Sequence, residues 1–187
     1  MNVFYEEEGT FKVGAILADN DSSLQVEAAH GKRSKVKAAN VLLRFGEPAL
    51  GAFVDAAQRT ADDIDVDFLW QCCGSDEFSF EALGKEYFGH APNAVESAGL
   101  LYKLHGAPMY FYKKGRGRYK AAPEASLKAA LAGLERKKRE AALTLEYVAA
   151  LTAGQMPPAM LPLAKTLLYK PDKNSLEYKA LDAAATG

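Results

Sequence analysis

The stretch Tyr110–Lys120, YFYKKGRGRYK, leaves the chain very little conformational choice. Aromatic residues flank a centre built from Lys113, Lys114, Gly115, Arg116, Gly117 and Arg118, with no acid among them. Aromatic runs favour strands, and the glycines favour a turn between them. The segment therefore predicts a β-hairpin that carries positive charge at a flexible tip. The whole chain has a formal net charge of −1, so this charge is local and does not come from a basic composition. A hairpin with cations at its tip suits contact with phosphate groups.

What precedes the hairpin gives it a context. Residues 1–46 read as small β structure. Phe11, Val13, Ala15 and Leu17 alternate along the chain, and Leu24 and Val26 repeat the period of two. Asp19-Asn20-Asp21 and His30-Gly31-Lys32 are turn signals, and Ser34–Ala38 and Asn40–Phe45 complete about five short strands. Short strands with tight turns suggest a small SH3-like barrel. Lys32, Arg33, Lys35 and Lys37 cluster without an acid, and on a strand Arg33, Lys35 and Lys37 share one face. Such a face is either a solvated outer surface or a second place for phosphate contact.

Residues 47–122 read as helices followed by the hairpin. Ala49–Arg59 can place Phe53 and Ala57 on one side, and the pattern continues through Asp62–Cys73 until Gly74. Ser79 is a helix cap for Phe80–Phe88, which Gly89 ends. Pro92 or Asn93 opens a further helix to His105, with Val95, Ala98, Leu101 and Tyr102 on its apolar side. Helices followed directly by a hairpin predict a winged helix, a variant of helix-turn-helix. The helix after Pro92 would hold the recognition position, yet it offers Glu96 and only one fixed cation, Lys103. Reading base edges needs Arg, Lys, Asn or Gln along such a helix. Binding is thus expected through the hairpin, with little sequence preference.

Residues 123–187 read as a helical extension. Pro123 suits the first turn of a long helix striped with Leu127, Leu131, Leu134, Leu145 and Val148. Gly154 and Met156-Pro157-Pro158 end it; a short helix over Met160–Tyr169, a turn at Pro171–Asn174 and a segment capped by Ser175 follow. That last segment is expected to have few partners of its own, as if the chain were cut from a longer protein.

Catalytic constellations are missing. The sequence holds no phosphate-binding GxxxxGK[ST] loop, no HExxH, no CxxC and no GxSxG. Cys72 and Cys73 are adjacent, which suits neither a metal site nor a disulfide framework. His30, His90 and His105 are scattered. The acidic run Asp62, Asp63, Asp65 and Asp67 has the density of a Mg²⁺ site but falls at a helix start, where acids cap and complement the helix dipole. No cofactor or metal is expected within these residues. No apolar run has the length of a membrane span, so no membrane partner is expected, and a cytoplasmic location is the default.

Several stretches together resemble a family. LGKEYFG in residues 83–89, MYFYKKGRGRY in 109–119 and LLYKPDKNSLEYKAL in 167–181 are similar to the N-terminal region of ribonuclease II (RNB) family exoribonucleases, in a divergent bacterial and plastid branch. The segment FKVGAILADNDSSLQVEAAHGKRSKVKAANVLLRF in 11–45 resembles the small barrel that opens those proteins. The resemblance implies a parent that degrades RNA from the 3′ end to nucleoside monophosphates. It also implies a separate Mg²⁺-holding catalytic domain that these 187 residues do not include. It departs from the better-known members, which open with cold-shock-type domains.

On this reading the chain handles single-stranded RNA and docks with its own catalytic domain without cleaving RNA itself. Lys113, Lys114, Arg116, Arg118 and Lys120 would contact phosphates, Tyr110, Tyr112 and Tyr119 would stack bases where they face outward, and Arg33, Lys35 and Lys37 would be secondary contacts. Two other classes stay open: a winged-helix DNA-binding regulator, and a protein-interaction module with an exposed apolar patch on the last two helices.

Overall fold

Six residues at the start, Asn2–Glu7, form a strand, β1, that is buried along almost its whole length. The computed structural model describes residues 1–186 and is an α+β fold. β1 lies inside a five-stranded antiparallel sheet with β2 (Thr10–Asp19), β3 (Ser23–Glu27), β4 (Arg33–Lys37) and β5 (Val41–Phe45), in the order β4-β3-β2-β1-β5. The turn signals fall where expected, with Gly31 at φ +83° between β3 and β4. One face of the sheet buries Val3, Tyr5, Leu24, Val26 and Val36. Val36 of β4 and Val41 of β5 belong to that one cluster, so the sheet curls over it. β4 and β5 remain edges that do not pair with each other, and the expected barrel is not closed.

The other face of β1 packs on helices. α1 spans Leu50–Asp63 and buries Phe53, Ala57 and Ala61 at the spacing of one helix face. α4 spans Ala94–Gly106, started by a capping box in which Asn93 and Glu96 each bond the other's backbone N–H. Phe4 sits between them, 6.1 Å from the Phe53 ring and 5.6 Å from the Tyr102 ring. Phe45 stacks on Phe53 at 3.7 Å. A Cβ on Gly99 would lie 2.7 Å from Thr60, so α4 and α1 approach closely only because this residue is glycine. The β segment and the helices therefore share a core; residues Met1–Leu127 form one compact unit, and the expected boundary after residue 46 lies inside it.

Between α1 and α4 the chain forms α2 (Val66–Gln71), a three-residue strand β6 (Glu77–Ser79) and α3 (Phe80–Phe88). The helical pattern expected to run on from Asp62 is interrupted at Ile64-Asp65, because the Asp65 carboxylate accepts hydrogen bonds from the backbone of Asp67 and Phe68 and starts α2. Phe68 of α2 is 53% exposed, so the apolar pattern through Asp62–Cys73 does not describe one buried face. Ser79 caps α3, and Gly89 ends it in the left-handed conformation. The hairpin consists of β7 (Phe111–Gly115) and β8 (Arg118–Ala121), and β6 adds to it to give a second antiparallel sheet in the order β6-β8-β7.

The second compact unit runs from Lys128 onward. It comprises most of α5 (Glu124–Thr152), a 3-10 segment Pro158–Leu163, α6 (Ala164–Tyr169) and α7 (Leu176–Thr186). Tyr147, Met160, Leu167 and Ala180 form its buried centre. The last segment, expected to lack partners, contributes Leu176, Tyr178, Ala180 and Leu181 to that centre. No helix among the described residues is long and apolar enough to cross a membrane.

Candidate nucleic-acid interface

Alternation along the hairpin sorts its side chains into two sets. Phe111 pairs with Ala121 and Lys113 with Tyr119 on the inward face, while Tyr112 pairs with Lys120 on the outward face. Lys114 is the extra residue of a β-bulge, because the register shifts between Lys113 and Gly115. Arg118 and Lys120 continue the outward face onto β6, opposite Ser79 and Glu77.

The inward set is structural. Tyr119 is 1% exposed and Phe111 2%. Tyr110, at 9%, precedes β7 and donates its hydroxyl hydrogen bond to Asp67 at 2.8 Å. Of the three tyrosines expected to stack bases, Tyr110 and Tyr119 are thus unavailable to a strand, and Tyr112 alone presents an exposed ring. Burial, and then the charge of Glu6, pushes the Tyr119 phenol up to about 12. Lys113 forms an ion pair with Glu6 of β1, whose side chain is almost wholly buried. This lysine is tied to the fold and is not a free phosphate contact. Nothing in the local sequence links Glu6 to a lysine 107 positions away.

The outward set differs. Arg118 pairs with Glu77 at 2.6 Å on the surface, and Arg33 pairs with Glu27 at 3.1 Å. Exposed pairs of this kind are worth about 0–1 kcal/mol, so either arginine can exchange its carboxylate for a phosphate. Among the described residues Lys114, Arg116 and Lys120 make no ion pair, and Lys114 and Arg116 are exposed. One exposed aromatic ring and three unpaired cations therefore occupy the hairpin and its turn. Lys35 and Lys37 are also exposed and unpaired, on β4. The hairpin touches the five-stranded sheet through Glu6 of β1 and Leu42 of β5, whereas β4 is the opposite edge in the hydrogen-bonding order. The two basic groups belong to different edges.

The hairpin tip is not the flexible element its glycines suggest. Gly117 has φ +64°, its carbonyl accepts from the Phe80 N–H at 2.9 Å, and a Cβ there would lie 2.8 Å from the Phe80 ring and 3.3 Å from Leu42. The turn is clamped against the start of α3 and against β5, which fixes where Arg116 projects.

α4, the helix expected to hold the recognition position, has little surface to offer. Ser97, Ala98, Gly99, Leu100, Leu101 and Leu104 are buried, and within the helix only His105 and Gly106 are exposed. Asp65 caps α2 and Asp67 accepts from Tyr110, whereas Asp62 and Asp63 fall in the last turn of α1 and not, as expected, at a helix start. His90 lies 3.6 Å from Glu96, and His105 packs on the Phe11 ring. No group of three or more potential metal ligands occurs among the described residues. Comparison with protein-family models, with curated proteins and with solved structures finds no match.

Proposed function

We propose that this chain binds single-stranded RNA, without sequence preference and without cleaving it, as the substrate-handling region of an exoribonuclease of the ribonuclease II type. The observation that carries this reading is the clamped hairpin, with exposed Tyr112 beside unpaired Lys114, Arg116 and Lys120. Exposed aromatic rings and cations at a backbone's spacing bind single strands by stacking and phosphate contact. The order of elements, four helices (α1–α4) with β6 between α2 and α3 and then a hairpin that pairs with β6, suits a winged helix in which the wing is the contact. The small curled sheet suits an open SH3-like arrangement. Hydrolysis from the 3′ end to nucleoside monophosphates, with its Mg²⁺, belongs to a separate catalytic domain, and these residues supply no catalytic group.

A regulator that reads duplex DNA through the helix after Pro92 gains no support, because such a helix must enter the major groove and α4 is enclosed. A protein-interaction role has its own observation. Leu161, Leu168 and Tyr169 are exposed by 60%, 74% and 82%, on the last helical unit where that reading expects an apolar patch.

Titration of the chain with labelled oligouridylate and with duplex DNA tests the proposal. It expects binding to the single strand that weakens steeply with salt, and no preferred duplex sequence. Absence of single-strand binding at low salt would remove it in favour of the interaction module.

A further inference from the structure

Next to the outward face of the hairpin lies a cleft of about 490 Å³, lined by Trp70, Cys73, Gly74, Ser75, Lys120 and Ala122 among others. Its size is within the range of small-molecule sites. We infer that this cleft takes one nucleobase of the bound strand, with Trp70 as its apolar wall and Lys120 on the adjoining phosphate. The inference rests on the single-strand reading and names where one base goes.

Four observations point there. Lys120 lines the cleft and also pairs across the hairpin with Tyr112, so the exposed tyrosine and the cleft share one cation. Trp70 is half-buried and its indole N–H donates to the Ala122 carbonyl at 2.9 Å, which holds the ring in a fixed orientation. The Cys73 thiol bonds the Leu69 carbonyl, and burial, followed by the charges of Cys72 and Glu86, pushes it up to about 12, leaving it a neutral wall. The amide of Gln71 and the hydroxyl of Ser75 offer hydrogen bonds to a base edge.

Trp70 is the only tryptophan of the chain, so its emission reports on this cleft alone. The experiment titrates the full chain with end-labelled oligouridylate and reads anisotropy of the label and emission of Trp70 together. Saturable quenching that tracks the anisotropy is expected. Gly74 lines the cleft and a Cβ there would meet no atom within 4 Å, so Gly74→Leu is the variant chosen to obstruct it. It is expected to weaken affinity about tenfold, the worth of one stacked base, and to abolish the quenching. Lys120→Ala, which leaves the Trp70 wall in place, is expected to lower affinity and keep the quenching at saturation. Full anisotropy change with unaltered Trp70 emission, or normal affinity in Gly74→Leu, overturns the cleft and leaves the single-strand reading standing. No anisotropy change in the unaltered chain overturns both.

Discussion

Lys113 and Lys114 are neighbours with different roles. Lys113 neutralises Glu6, one of whose carboxylate oxygens already lacks a hydrogen-bond partner, so its loss leaves an uncompensated charge in the core. Lys113→Ala is expected to cost about 1–3 kcal/mol of stability in denaturant unfolding followed by Trp70 emission. Its effect on RNA affinity should be small once the protein is kept folded. Tyr119 makes a paired prediction. Its hydroxyl is buried without a partner, so Tyr119→Phe should change stability at neutral pH by no more than about 1 kcal/mol, in the favourable direction. The sign at alkaline pH follows from the raised phenol. Above the ordinary tyrosine value of about 10 the unfolded chain gives up this proton while the folded chain keeps it. Stability present below that pH is therefore lost as pH climbs toward 12. Tyr119→Phe should flatten part of that loss; Cys73, Cys72, Tyr102 and Tyr110, whose protons burial also holds on the folded chain, contribute to the remainder. At this scale the sequence revealed which residues are basic and aromatic but not which are spent on the fold. Alternation along β7 sends Phe111 inward and Tyr112 outward. It failed for Tyr110, which precedes β7 in a turn where its N–H bonds the Ala107 carbonyl and period two does not apply.

The hairpin as an element depends on Gly117. A side chain there is strained by the positive φ and collides with Phe80, so Gly117→Ala should destabilise the protein by about 1–3 kcal/mol. Proteolysis within 116–118 should accelerate in the same variant, because the turn loses its clamp. The helix ends were legible because their signals are local: Ser79 and Asn93 cap where expected, and Gly89 stops α3. β1 was not. Val3, Phe4 and Tyr5 are all buried because the strand is covered on both faces, so the alternation that reveals a half-exposed strand is absent. The enclosure of α4 was hidden for a related reason. Its stripe of Val95, Ala98, Leu101 and Tyr102 predicts one buried face, whereas Gly84 of α3 and Thr60 of α1 close on Leu100 and Gly99, outside that stripe. Only the assembled elements show that.

For the molecule as a whole, a formal charge of −1 gives no general attraction for nucleic acid, so affinity must come from placement. In the first unit that placement is a hairpin held by Gly117, Tyr119 and the Glu6–Lys113 pair, with Lys114, Arg116 and Lys120 left over. The most direct test is the salt dependence of oligouridylate binding by the unaltered chain and by a Lys114→Ala, Arg116→Ala double variant. Each phosphate contact on a single strand contributes about −0.7 to the slope of log affinity against log salt, so three contacts give about −2. The account expects the double variant to bind more weakly at low salt and to reduce that slope to about −0.7, with unchanged stability. An unaltered slope and affinity in the double variant would contradict it, because the charge that binds RNA would then lie away from the hairpin.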